Sequence, residues 1–287
     1  MNPGIGWVDM LTVASAVVVG AGALAGGYQV VKARWNATVG LRKANKQLID
    51  HLAVGMYRGY LIGLLGQPAL AEGLPPSQQI LRFDLGHAWV STSIGPDDAV
   101  TAISITVLSD AFGYDAGGLS WGMLNGLVLG RSKYSSAAPQ PNEGAEWALG
   151  ARRTFYRELL YFGNPGMYQW YVLSSNDAGV MKYGSPPPSF QAATGRFASH
   201  PVWVGAEAAS VNQPELDVYR AKSSPNTLTI VNWAGEDEKQ FLDRLRRVEL
   251  DWDTVRMFLR PTPAKSRRVQ LRSRVHRWTR KLRAADE

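Results

Sequence analysis

Three groups of residues in this chain have types and spacings suited to chemistry. The first is Gly118-Leu119-Ser120-Trp121-Gly122, a literal G-x-S-x-G. In an α/β-hydrolase this string is a strained strand-to-helix elbow that exposes the serine, with acidic and histidine partners later in the chain. Asp177, His200 and His276 follow Ser120 in a suitable order. The context differs, because Gly113-Tyr114-Asp115-Ala116-Gly117 is not an apolar strand and no alternating β/α pattern surrounds it. The preferred reading is a Gly-rich loop, with Ser120 as the one candidate nucleophile. The second group is the histidines, His51, His87, His200 and His276, none at metal-ligand spacing. Asp251-Trp252-Asp253 has oxygens for a hard cation but reads as the polar flank of a helix end. No metal or cofactor is expected: Gly117-Gly118 lacks the lysine and preceding strand of a phosphate-binding loop.

The third group is the strongest signal. Nine Lys/Arg and no acid lie between Lys265 and Arg283, namely Lys265, Arg267, Arg268, Arg272, Arg274, Arg277, Arg280, Lys281 and Arg283. Residues 1–264 carry 22 basic and 22 acidic side chains, so the basic balance of the chain comes from this tail. Leu271, Val275, Trp278 and Leu282 recur at helical spacing, which predicts a basic amphipathic helix beyond Pro261 and Pro263. Its expected contacts are an anionic lipid surface or nucleic acid, with packing on the domain as the plainer alternative. Nucleic acid ranks lower because Trp278 is the single aromatic available for base stacking.

These groups must be positioned by the rest of the chain. Met10 to Val31 is a 22-residue run without charge, about 33 Å long as a helix and able to span a hydrocarbon core. No Lys or Arg precedes it, whereas Lys32, Arg34, Arg42, Lys43 and Lys46 follow. Trp7, Tyr28 and Trp35 sit at its ends as interfacial aromatics would. The expectation is a single-pass membrane anchor with the N-terminus outside and the C-terminal domain cytoplasmic. A leader cleaved after Ala23-Leu24-Ala25 and a buried helix are the alternatives, the run being diluted by four Gly and five Ala. Ala16, Gly20, Gly22 and Gly26 form small-x-x-x-small pairs, which would let two such helices dimerise.

The remainder reads as an α+β domain over residues 32–264, with sub-units 32–110 and 145–260, followed by the tail 265–287. A helix continues from 32 to 65 through Leu41, Leu48, Leu52 and Met56, and stops at Leu65-Gly66-Gln67-Pro68. Alternation from Leu81 to Trp89, a Gly95-Pro96-Asp97-Asp98 turn and the run Val100–Val107 predict a hairpin. Trp147, Ala151, Phe155, Leu159 and Phe162 predict a second helix, closed by Phe162-Gly163-Asn164-Pro165. Tyr168–Leu173 and Val180–Tyr183 then pair about Asn176-Asp177-Ala178-Gly179. Leu228–Trp233 is a further strand, and Phe241, Leu245, Val248 and Trp252 mark a helix face. The twofold succession of helix, Gly-x-Pro and hairpin is read as coincidence, since two copies sharing so little do not define a repeat. The expected architecture is a transmembrane helix, antiparallel hairpins with packed helices, and the basic amphipathic tail helix.

The order of anchor, helix, Leu65-Gly66-Gln67-Pro68, hairpin ending Ile103-Ser104-Ile105-Thr106, and Leu127-Val128-Leu129-Gly130-Arg131-Ser132 resembles an uncharacterised bacterial family of single-pass membrane proteins. Asn226-Thr227 before a strand and Asp253-x-x-Arg256 fit the same resemblance. It implies architecture and transfers no activity, cofactor or site residue. With no cysteine, the chain excludes disulfides, thiolate zinc sites, iron–sulfur clusters and thiol nucleophiles. The expected role is a non-catalytic scaffold, sensor or interaction protein; a serine hydrolase using Ser120 and a nucleic-acid binder using the tail are the alternatives.

Overall fold

The structure, a computed structural model, describes residues 39–74, 78–137, 144–149, 154–162, 169–180, 202–205, 213–232, 238–251 and 254. Among these residues, nine strands form one antiparallel sheet: β1 Leu70–Leu74, β2 Gln78–Asp84, β3 Ala88–Ile94, β4 Val100–Val107, β5 Gly144–Leu149, β6 Thr154–Tyr161, β7 Gln169–Asn176, β8 Val202–Gly205 and β9 Thr227–Asn232. Their order is β1-β2-β3-β4-β9-β7-β6-β5-β8. Two meanders, β1–β4 and β5–β7, are therefore joined by β9, which pairs with β4 on one side and β7 on the other. The central strands are covered on both faces, which is why β-branched residues run almost without interruption in β4 and why all seven residues of β3 are buried.

Among the described residues, four helices accompany the sheet: α1 Leu41–Asp50, α2 Arg58–Leu65, α3 Gln213–Lys222 and α4 Glu238–Val248. On one face, Phe241, Leu242, Leu245 and Val248 of α4 pack on Ala102, Leu159, Val172 and Val231. On the other, Phe83, Val90, Ile105, Tyr156, Leu173 and Leu228 meet Ile49 of α1, Leu61 of α2, Leu216 of α3 and apolar residues of the 108–137 segment.

The structure corrects the expected architecture. Among the described residues no helix is long and apolar enough to cross a membrane. The longest, α4, has 11 residues, about 16 Å against the roughly 30 Å of a hydrocarbon core. The single-pass membrane architecture, and with it the cell-membrane location with N-terminus outside and cytoplasmic domain, is set aside. The run 10–31, its Ala16, Gly20, Gly22 and Gly26, and the tail 265–287 lie outside the described residues.

Three local readings also change. The helix expected from 32 to 65 is, within the described residues, two helices separated at His51–Tyr57, where Tyr57 bridges to Ala99. The strand expected from Leu81 to Trp89 is two strands, because Asp84 accepts a hydrogen bond from the Gly86 N–H and Gly86 turns the chain at φ 77°. Within the described residues, the helix expected over 147–162 is replaced by the paired strands β5 and β6. By contrast, the Gly95–Asp98 turn, β7, the Asn176–Gly179 turn, β9 and α4 fall where the sequence places them, but the pairing expected between β7 and Val180–Tyr183 is not made, because β6 and β9 take both sides of β7.

Candidate functional site

The segment 108–137 between β4 and β5 carries Ser120 and has little regular structure, yet it is tightly held. Phe112, Tyr114, Leu119, Leu124, Leu127 and Leu129 are all buried in the core. Its two legs pair through an Asp115–Val128 bridge. Gly130 N–H bonds to the Pro225 carbonyl at 2.7 Å and Tyr134 N–H to the Ser223 carbonyl at 3.2 Å, which fix its far end to the approach to β9. Tyr114 donates its hydroxyl to Asp50 at 2.7 Å, and burial, with that bond, pushes its phenol far above the ordinary range.

Within this segment Ser120 is wholly buried. Its hydroxyl oxygen accepts the Leu124 N–H at 2.9 Å and its proton is directed to the Gly117 carbonyl at 3.5 Å. This is the bonding of a turn-stabilising serine, which closes a polar side chain onto nearby backbone. Gly118 serves close packing, since a methyl there would overlap the Asp50 carboxylate. Trp121, next to Ser120, is the reverse case. It is 64% exposed, at a φ of 56°, and shares the tip with exposed Met123.

The other candidate partners are dispersed. His51 is exposed and bonded to the Gln47 carbonyl. His87 is half-buried in the β2–β3 turn and stacked on Phe112, not on a strand face; burial, then Arg42, holds its imidazole below the ordinary value. Asp177 lines a small cleft beside α4, with Arg157, Asn176, Arg246, Glu249 and Asp251. The residues around Ser120, in contrast, pack on the opposite sheet face. The cleft encloses about 30 Å³, room for one or two waters. No group of metal-ligating residues occurs among the described residues. His200, His276, Trp252, Asp253, and Lys265, Arg267, Arg268, Arg272, Arg274, Arg277, Trp278, Arg280, Lys281 and Arg283 lie outside them.

What the sequence did not reveal is a layer of buried charge in the sheet. Neighbouring residues Arg157 and Glu158 of β6 point to opposite faces. Glu158 accepts from Arg220 of α3 at 2.7 and 3.2 Å and from the Tyr156 hydroxyl at 2.7 Å. Arg157 bonds Glu249 at 2.8 Å, and Glu249 also accepts from Ser174 of β7. A third cation, Arg82 of β2, donates to the carbonyls of Arg247, Val248 and Glu249, which satisfies the C-terminal end of α4. These pairs tie α3 and α4 to the sheet and orient their helices.

No family model matches the chain. No curated protein matches it. Among solved structures, a cysteine-rich secretory protein from Staphylococcus aureus is similar, with 10% identity and a TM-score of 0.29, over 69% of this chain and 48% of that one. This chain thus spans about half the length of that structure, and at this score the likeness carries no conclusion about fold or function.

Proposed function

We propose that this chain is a non-catalytic interaction protein whose contact surface includes the tip of the 108–137 segment, with Trp121 and Met123 as its apolar contacts. The observation that supports this is the conformation of Trp121. A bulky residue at positive φ costs of order 1–3 kcal/mol, and an exposed indole leaves a large apolar surface in water. Both costs are borne at a tip whose base, Leu119, Ser120 and Leu124, is buried and hydrogen-bonded. A tip whose backbone is fixed before contact loses less entropy on binding than a free loop, which suits an interface anchor.

The test has two arms. A fluorophosphonate probe should leave Ser120 of the folded chain unlabelled; stoichiometric labelling at Ser120 would overturn the non-catalytic reading. A photo-crosslinking residue at position 121 should give a discrete adduct that the same residue at exposed position 218 does not, and Met123→Ser should deplete it. Identical adduct profiles at the two positions would remove the tip from consideration.

A further inference from the structure

We propose that the polar sheet face beneath the end of α4 is a receptor for a short aliphatic carboxylate, which the Glu249 side chain fills as an internal competitor. The site does not depend on the Trp121 tip, whose base packs on the opposite face of the sheet. Residues directly opposite one another on neighbouring strands form two rows here. Arg82, Ser91, Ser104 and Thr229 make one, and Thr106, Thr227, Ser174 and Arg157 the other. All of them are buried, none more than 4% exposed. Hydroxyls and guanidiniums thus fill one face of strands whose other face is apolar.

Glu249 closes over this face. Its carboxylate accepts from Arg157 at 2.8 Å and from the Ser174 hydroxyl, and the Thr229 hydroxyl lies 3.4 Å from it. A guanidinium flanked by hydroxyls is a donor set matched to a carboxylate. Stability alone does not call for it, because an apolar group of similar volume would avoid the cost of desolvating both charges. The segment that carries Glu249 is lightly held. Among the described residues, its apolar grip is Leu250 on Trp89 and Ala178, a cluster apart from the main core. The rest of its hold is polar, including Arg82 on the carbonyls of Arg247, Val248 and Glu249. Water can replace those bonds when the segment lifts, so local opening uncovers groups that hydrate readily. The cleft of about 30 Å³ lies beside Glu249, with Phe155 and Leu250 among its lining. Asp177, Arg246 and Asp251 also line it, and Asp251 accepts the Thr254 N–H. Binding leaves the charge balance of these groups unaltered, since one carboxylate departs as another arrives. Beyond its Cα, the glutamate side chain has the heavy atoms of propionate, which sets the size of the ligand.

Titration of the full chain with propionate, at ionic strength held constant with chloride, tests the site. Saturable amide shifts are expected at Ser174, Thr229 and Leu250, with faster amide hydrogen exchange at Leu250 and Asp251 as the segment is displaced. Propionamide, the neutral isostere, should produce neither. Glu249→Gln keeps the shape of the competitor and removes its charge, so it should bind propionate about tenfold more tightly. The exposed Asp98→Asn should bind as the parent does. An ion pair with a purely structural role predicts a less stable Glu249→Gln chain that does not respond to propionate. Non-saturating shifts in the parent, an equal response to propionamide, or Glu249→Gln binding no tighter than the parent would overturn the proposal. The two arms on the parent decide it even where Glu249→Gln fails to fold.

Discussion

Replacing Arg220 by Met should be among the most damaging single changes in the described fold, and its effect should depend on pH. Arg220 is 1% exposed and Glu158 is fully buried; two guanidinium nitrogens hold the carboxylate at 2.7 and 3.2 Å. Removing one partner of such a pair leaves an uncompensated buried charge and costs about 3–5 kcal/mol. At 1.4 kcal/mol per decade this lowers the folded-to-unfolded ratio by roughly two to three and a half orders of magnitude. For a domain of this size it lowers the thermal midpoint by about 6–20 °C. Burial already raises the Glu158 carboxyl above 4.5, opposed by Arg220 and by Tyr156. A folded-state value above the unfolded one means that the folded chain keeps the proton longer. The contribution of Glu158 to stability is therefore full below about pH 4.5 and lost as pH rises through the folded value. Without Arg220 that folded value rises further, so the cost should be larger at pH 8 than at pH 5. Urea unfolding followed by tryptophan fluorescence at both pH values measures it. The double variant Glu158→Leu/Arg220→Met should recover at least half of the loss, because an apolar pair carries no desolvation cost. A single-variant cost under about 1 kcal/mol at pH 8, or a double variant no more stable than the single, would refute this account.

Three other changes test the packing. Leu245→Ala, at a fully buried position of α4, should cost about 2–5 kcal/mol in urea unfolding with an unchanged denaturant slope. Tyr134→Phe removes a hydroxyl bonded to Ser175 at 2.8 Å but keeps the edge-on contact with Tyr156. Since Ser175 still bonds the Ser224 carbonyl, the expected cost is about 1 kcal/mol by the same assay. Gly179→Ala would set a methyl 2.7 Å from the Asn226 side chain and 2.9 Å from the Val107 carbonyl; a loss of about 1–3 kcal/mol is expected in thermal unfolding.

The parts of the fold legible in the sequence are those that local chemistry decides. The Gly95-Pro96-Asp97-Asp98 turn, the β-branched run of β4 and the Phe241–Leu245–Val248 stripe of α4 each need only their own residues to be read. The 147–162 stretch misled because its apolar residues recur mostly every four positions, an interval that falls on one face of a helix and also on one face of a strand. That choice concealed the buried charges. On an exposed helix face Arg157 and Glu158 would be solvated, whereas on a strand covered on both sides each must find a partner. The partners, Glu249 and Arg220, lie 92 and 62 residues away, beyond any local pattern.

The position of β9 bears on how the chain is made. During synthesis from the N-terminus, the meander β1–β4 and the strands β5–β7 emerge first, and β9 emerges later than all eight of the other strands. Until residues 227–232 are available, β4 and β7 each present a bare row of backbone donors and acceptors along one side. These edges belong to strands meant to be buried and are prone to capture by another nascent chain. A ribosome paused between β7 and β9 would thus hold a nascent chain at its most aggregation-prone stage, and a product ending before Thr227 would retain two half-sheets without the strand that joins them.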